Sequence, residues 1–190
     1  MDLSPMCRLF LQRRIDELER GKLLNQFLGK YRGTVINNQD PQSMGRIAVQ
    51  VPDVSNVETS TWALPCAHFA GTQAGFFSIP PVGANVWVEF EQGNSDFPIW
   101  SGCFWGSSAE VPPMAIAGPP GVQTIVLQSV QGNILMISDA AGPTGGILLK
   151  TSSGSSIAIN DTGITITNGQ ATISISGPTM SVNNGALAVT

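Results

Sequence analysis

The last third of the chain alternates apolar and polar residues in short segments separated by turn residues. Apolar residues recur in pairs with one polar or small residue between them, most clearly as Ile157/Ile159, Ile164/Ile166, Ile173/Ile175, Met180/Val182 and Leu187/Val189. Less regular pairs begin at Ile125, Ile134 and Ile147. Alternation with a period of two is typical of strands with one apolar face, and its repetition predicts a stacked or wound β architecture.

Between residues 30 and 107, the same alternation again predicts strands, here about five of them. The clearest examples carry Ile47, Val49 and Val51 in one strand and Val86, Val88 and Phe90 in another. Segments rich in Pro, Gly, Asn and Asp separate the strands, as turns require. About five strands in so short a segment predict a small closed barrel, because closure removes the unpaired edges of a sheet.

The first 29 residues have the periodicity of a helix. Ser4 can cap its start, Pro5 suits its first turn and Gly29 can end it. Its apolar stripe consists of Leu11, Ile15, Leu18, Leu24 and Phe27. Two interpretations are open: the helix packs on its own domain, or it is an arm that docks on another subunit.

Charged residues are concentrated in the first part of the chain, and this change along the sequence is sharper than any change in hydropathy. No positive charge follows Arg46 except Lys150. The charged residues from position 111 onward are Asp139, Lys150 and Asp161. Together with the run of prolines that begins there, this change predicts a linker at 108–121 and a separate domain at 122–190.

Composition excludes several classes of protein. Only 12% of the residues are charged while 42% are hydrophobic, which is unlike a disordered chain. The formal net charge of -4 leaves no surplus of Lys and Arg for binding nucleic acid through its phosphates. We find no apolar run long enough to cross a membrane and no signal peptide, so we expect assembly in the cytoplasm. The chain then either stays there or leaves by a route that needs no signal peptide. Three cysteines at unrelated spacings are expected to be buried thiols.

A single copy of the C-terminal repeat has too little core to fold alone. Each predicted strand offers two apolar residues on one face, which does not offset the entropy of ordering the chain. Either the chain coils on itself as a solenoid, or several copies wind together and complete each other. Each turn of a self-coiled solenoid with three walls takes about 20 residues or more, so this segment would form only a few turns, with no evident cap at either end. We therefore favour three intertwined chains around a shared axial core. That core would contain Ile157, Ile159, Ile164, Ile166, Ile173 and Ile175.

An ordered series of motifs gives the chain a resemblance to a known family. The series runs through Arg32-Gly33-Thr34-Val35, Asp40-Pro41, Gly45-Arg46-Ile47, Val49-Gln50-Val51-Pro52, Trp62-Ala63-Leu64-Pro65, Gly75-Phe76-Phe77, Pro80-Pro81-Val82-Gly83 and Val86-Trp87-Val88-Glu89-Phe90-Glu91-Gln92-Gly93. It resembles the OB-fold domain of phage baseplate assembly protein V and of VgrG-type spikes in type VI secretion. The repeat behind it is similar to the trimeric β-helix that follows this domain in such spikes.

The resemblance implies a mainly β protein with a short N-terminal helix (1–29), a five-stranded OB-fold barrel (30–107) and a C-terminal intertwined triple-stranded β-helix (122–190). It implies a structural protein rather than an enzyme: the homotrimeric central spike of a contractile tail or injection machine. In that family the spike pierces the target cell envelope when the sheath contracts, with brief contact with the membrane. Such a spike is part of a phage virion tail or a tail-like injection particle. The alternative is a trimeric receptor- or polysaccharide-binding tail fibre module.

The resemblance also implies two further partners. No hub-like domain precedes the barrel, so we expect a separate baseplate hub protein that contacts the apolar stripe from Leu11 to Phe27. The C-terminus lacks the His-x-His pair that binds iron in some phage spikes, so we expect a separate tip protein to cover this end. Its contacts would be Ala186, Leu187, Val189 and Thr190.

Few residues could carry chemistry. Glu89 and Glu91 lie two apart on a predicted strand, but a solvated strand face explains them better than a paired-carboxylate site. Cys66 and His68 offer two ligands where zinc usually takes at least three from protein. We therefore expect no catalytic residue, no cofactor and no metal. Four aromatic residues could stack bases, yet an acidic chain favours core or interface packing for them; they are Trp87, Trp100, Phe104 and Trp105.

Overall fold

The chain divides into two compact units, one up to Gly106 and one from Ser107 onward, and each is described by itself. The computed structural model describes residues 26–54, 62–183 and 186–189. In these ranges no helix is both long enough and apolar enough to cross a membrane. Residues 26–29, the end of the predicted N-terminal helix, are not helical. The rest of that helix, with Leu11, Ile15, Leu18 and Leu24, lies outside the described residues and stays a prediction.

The first unit contains a closed five-stranded β-barrel. The strands of this unit are β1 (Tyr31–Asn37), β2 (Ile47–Gln50), β3 (Trp62–Pro65), β4 (Ala70–Gly71), β5 (Ala74–Gly75), β6 (Asn85–Phe90) and β7 (Pro98–Cys103). The order around the barrel is β1-β2-β3-β7-β6, and β4 and β5 form a separate hairpin. Strand β3 runs parallel to β7, whereas the other neighbours are antiparallel. The predicted small barrel is confirmed.

Alternating residues of these strands form the core of the barrel. The predicted inward residues of β2 and β6 are buried, and Ile47, Val49, Val86 and Val88 have no exposed surface. Burying one such aliphatic side chain contributes roughly 1.5–3 kcal/mol. Alternation was therefore a reliable guide here, since one face of each strand meets the core and the other meets solvent.

One carboxylate organises the loop between β1 and β2. Asp40 Oδ1 accepts hydrogen bonds from Arg46 Nε at 3.0 Å and Nη2 at 2.6 Å. Asp40 Oδ2 accepts from the backbone N–H groups of Met44 at 2.8 Å and Arg46 at 3.2 Å. The Arg46 guanidinium also lies over the Trp62 ring. The bond to Arg46 holds the pKa of Asp40 well below its usual range and raises the pKa of Arg46.

The substitution Asp40→Asn is expected to lower the urea midpoint of barrel unfolding at neutral pH. A depressed folded pKa means that the ionised carboxylate stabilises the fold at every pH above its unfolded pKa of about 3.9. That stabilisation disappears as the pH falls through the lower folded pKa. The difference in urea midpoint between wild type and D40N should therefore stay constant down to about pH 5 and decrease only in stronger acid.

Tryptophan fluorescence is the appropriate probe for this measurement, because all four Trp residues lie in the first unit. Asp53→Asn, which removes an exposed carboxylate of the same unit, serves as the matched control. If the urea midpoint of D40N stayed equally far below that of the wild type in strong acid, the result would contradict the role given to the Asp40 charge.

The second unit contains one eight-stranded antiparallel sheet. A one-turn helix, α1 (Pro113–Ile116), is followed by β8 (Thr124–Gln128), β9 (Ile134–Ser138), β10 (Gly146–Lys150), β11 (Ser156–Asn160), β12 (Gly163–Thr167), β13 (Thr172–Ser176), β14 (Thr179–Val182) and β15 (Leu187–Val189). Each strand pairs with the next one along the chain, so the order across the sheet is β8 to β15. Short 3-10 turns occupy Glu91–Gly93 in the first unit and Ser108–Glu110 and Gly142–Thr144 in the second.

This sheet differs from the expectation that neighbouring strands come from different, intertwined chains. Strands β9 to β14 each pair on both sides with strands of their own chain, because short turns return the chain directly beside the previous strand. In the turn between β11 and β12, Asn160 Oδ1 accepts from the backbone N–H of Thr162 at 2.9 Å and from its hydroxyl at 2.6 Å. The mainly β class is confirmed, whereas the intertwined β-helix is not.

Candidate functional site

One face of the eight-stranded sheet carries two continuous rows of apolar residues. Strand register places the members of each row directly opposite one another. The first row is Ile125, Ile137, Ile147, Ile159, Ile164, Ile175, Met180 and Val189, and the second is Leu127, Leu135, Leu149, Ile157, Ile166, Ile173, Val182 and Leu187. We call this surface the ladder face. No polar residue interrupts either row.

The ladder face is exposed in the single chain. Exposure is 54% for Ile125, 42% for Ile166 and 59% for Leu187. Met136 is the only buried apolar side chain among the described residues of this unit. The sheet therefore has almost no core of its own, and soluble proteins rarely leave a contiguous apolar patch of this kind uncovered. The ladder face is the candidate assembly surface.

The opposite face of the sheet, which we call the polar face, changes in character from β8 to β15. Its central row consists of Val126, Met136, Leu148, Ala158, Thr165, Ser174, Ser181 and Ala188. The first three are large and apolar, and α1 lies against β8 at that end. From β11 onward the row contains only small or polar residues. The two faces thus need different surroundings: an apolar cover for the ladder face and water for most of the polar face.

The six isoleucines predicted to form a trimer core all lie on the ladder face. Ile159, Ile164 and Ile175 are in the first row, and Ile157, Ile166 and Ile173 are in the second. The structure therefore brings them together as one surface, and their burial in a trimer stays a prediction.

Sequence reasoning misplaced the pair in β9. We expected it to begin at Ile134, whereas the residues on the ladder face are Leu135 and Ile137. Strand β9 has apolar residues on both of its faces, so alternation alone could not assign its orientation. Counting register back through β10 from β11, whose alternation is clear, would have found the correct pair.

The residues predicted to contact hub and tip proteins are described only in part. Phe27 packs on its own barrel, with its ring centroid 5.8 Å from that of Phe90 and its backbone N–H donating to Gly93 O at 2.9 Å. Ala186 and Leu187 are exposed at the start of the last strand. The side chain of Val189 and the whole of Thr190 lie outside the described residues. Both sets of contacts stay predictions.

The carboxylates and thiols of the barrel are dispersed. Glu89 pairs with Lys30 at 2.9 Å, while Glu91 lies in a 3-10 turn rather than on the predicted strand. Cys66 and Cys103 are free and exposed, which corrects the expectation of buried thiols for these two, and Cys7 lies outside the described residues. They lie near strand ends, where alternation no longer directs side chains into the core. Across the described ranges, no three His, Cys, Asp or Glu side chains lie close enough to hold a metal ion.

The aromatic residues of the barrel pack against its surface and core. Trp100 Nε1 donates to Gly45 O at 3.1 Å beside a cavity of about 600 Å³, whose lining includes His68, Phe69 and Phe77. The rings of Trp87 and Phe104 lie 4.7 Å apart, and the Arg32 guanidinium stacks over both. Trp105 is 62% exposed. Packing therefore accounts for three of the four aromatic residues, and the exposure of Trp105 departs from the packing expected for all four.

Comparison with known proteins identifies both units. Residues 31–105 match the family model of the type VI secretion system/phage-baseplate injector OB domain. Residues 124–188 match that of the phage baseplate V C-terminal trimerisation domain. The chain is also similar to the actin cross-linking toxin VgrG1 of Vibrio cholerae serotype O1 (strain ATCC 39541 / Classical Ogawa 395 / O395), with 30% identity over 105 residues. That match covers 52% of this chain and 10% of the toxin, so the chain spans about a tenth of the relative's length.

Proposed function

Because the chain belongs to the family of phage baseplate V and VgrG-type spike proteins, we propose that three copies form a central spike that pierces the envelope of a target cell. Proteins of this family are parts of phage tails or of type VI secretion machinery. The match to a trimerisation domain supports a homotrimer. We propose that the spike stands at the centre of a baseplate and moves forward when a surrounding sheath contracts.

The ladder face is the observation that carries this proposal. It lies within the matched trimerisation domain, it is apolar in every strand, and its own chain leaves it exposed. Three such sheets with their ladder faces turned inward would form a three-sided β-helix whose core is shared by all copies. Burial at roughly 25 cal/mol per Å² of apolar surface would then provide the stability that one sheet lacks.

The polar face suits the outside of a piercing shaft. Ordered strand hydrogen bonds, each contributing about 1 kcal/mol net, distribute an axial load over many contacts. From Thr162 to Thr190 the chain contains no charged residue. A charge carried into hydrocarbon costs roughly 2.5 kcal/mol or more, so Ser, Thr and Ala keep the surface wettable at a lower cost.

The remaining partners belong to the same proposal. A separate hub protein would bind the apolar stripe formed by Leu11, Ile15, Leu18, Leu24 and Phe27. A separate tip protein would cover the exposed end at Ala186 and Leu187, since an open strand edge invites pairing. The particle would assemble in the cytoplasm before it acts.

Lysines on the polar face test whether the shaft enters a membrane. The triple substitution Thr165→Lys, Ser174→Lys and Ser181→Lys leaves the ladder face unchanged, so the protein should still assemble. We expect delivery into target cells by particles with this variant to fall at least tenfold, because each charge opposes entry into hydrocarbon. Dye release from target cells measures delivery.

Particles made without the chain give the background dye release in this assay. Gln substitutions at the same three positions are the matched control. Delivery by particles that lack the chain would exclude the spike function. Full delivery by the Lys variant would exclude the requirement for a charge-free surface.

A further inference from the structure

The three charged residues of the eight-stranded sheet and its turns, Asp139, Lys150 and Asp161, lie on opposite edges of the sheet. Strands run back and forth, so their turns alternate between two long edges. Lys150 ends β10 at the edge formed by turns 129–133 and 151–155. Asp139 follows β9 and Asp161 follows β11, both at the other edge. One edge therefore carries a cation and the other carries two anions.

Lys150 is too far from Asp139 and Asp161 of its own chain to pair with them. A strand of five residues spans about 16 Å, and that length separates the two edges. Within the part of the chain that the structure describes, no ion pair involves Lys150, which is exposed. Asp161 Oδ2 accepts from the backbone N–H of Gly142 at 3.0 Å, which positions this carboxylate at the edge.

We propose that Lys150 of each copy pairs with Asp139 and Asp161 of the next copy at the corners of the trimer. The inference rests on the homotrimer of the proposed function. In a ring of three identical sheets, one edge of each copy meets the opposite edge of its neighbour, since cyclic contacts are heterologous. Neighbouring strands of a sheet lie about 4.8 Å apart. With the three sheets side by side, β10 of one copy is therefore displaced by one strand spacing from β9 and from β11 of the next copy.

These pairs would set the register between copies along the shaft. The rows of the ladder face are almost uniform from strand to strand, so apolar contact alone permits the sheets to slip by one strand pair. Exposed ion pairs add little stability. However, an alignment that brings like charges together or leaves a charge without its partner is disfavoured relative to the correct one. Three charges in an otherwise uncharged sheet are enough to distinguish one alignment from the others.

Disulfide trapping tests the pairing directly. The full chain would carry Lys150→Cys with Asp161→Cys, or Lys150→Cys with Asp139→Cys, while its three native cysteines are replaced by Ser. Mild oxidation of the purified trimer is expected to give a covalent trimer on a denaturing gel. The matched control is Lys150→Cys with Thr167→Cys, since Thr167 lies on the same edge as Lys150 and should give none.

The mass of each variant by light scattering separates the possible failures. A mass of three chains without any disulfide between chains would overturn the edge pairing and leave the proposed function intact. A mass of one chain for the wild type would overturn both. Where the cysteine variants do not assemble, Lys150→Asp should lower the thermal midpoint of trimer dissociation at low ionic strength, and adding Asp161→Lys should restore it. No loss, or no restoration, would contradict the proposal.

Discussion

An aspartate in place of Ile166 is expected to convert the assembled protein from about 60 kDa to single chains of about 20 kDa, given a chain mass of 20.0 kDa. Ile166 lies in the second row of the ladder face, opposite Ile157 on one side and Ile173 on the other. In the proposed trimer it is buried by the other copies. Three unpaired carboxylates buried in that core would each cost several kcal/mol. The apolar contacts that remain between the copies could not offset this cost.

The matched control is Thr165→Asp on the adjacent residue of β12. Thr165 lies opposite Ala158 and Ser174 on the polar face, where water can solvate the new carboxylate. It should retain the mass of three chains. Light scattering measures both variants, and an unchanged mass for I166D would show that the ladder face is not the interface.

The second large effect is expected from Gly163→Ala, which should lower the stability of the second unit by on the order of 3 kcal/mol. Gly163 begins β12 with a φ of +135°, a conformation that a residue with a side chain rarely adopts. A Cβ at this position would lie 2.0 Å from Ile175 O, a backbone atom of β13. The strands would have to separate, and the apolar rows would lose their alignment at this level.

Gly169→Ala separates the two causes. Gly169 also has a positive φ, of +90°, but a Cβ there meets no atom within 4 Å. The control should therefore lose only about 1–2 kcal/mol of stability, which is the conformational cost of placing a residue with a side chain at a positive φ. Far-UV circular dichroism in urea at fixed chain concentration measures both, because the second unit has no Trp. Equal losses in the two variants would refute the close approach at Ile175.

Predictability from the sequence differed between the two units for a physical reason. In the barrel, each strand has one face toward a core of its own chain, so the alternation of Val86, Val88 and Phe90 matched their burial. In the second unit the apolar face has no partner among the described residues of the unit, so alternation located most strands without showing what covers this face. Strand β9 has apolar residues on both faces, which left its orientation undetermined. The spacing of the cysteines argued against a disulfide framework but did not show that Cys66 and Cys103 lie near strand ends, where their thiols are exposed.

The sequence by itself determined the division into a barrel and a repeat, the apolar pairs of the repeat, and the concentration of charge before it. These properties are local, since they depend on the spacing of side chains along a strand and on the residues of each turn. Only the tertiary structure decided that the repeat pairs with itself as one antiparallel sheet. It also decided that the pairs align into two unbroken rows and that Lys150 and the two acids lie on opposite edges. The register of two consecutive strands depends on the length and conformation of the turn that joins them. Spacing along the chain does not give that conformation, so the alignment of the rows was established only when the turns were in place.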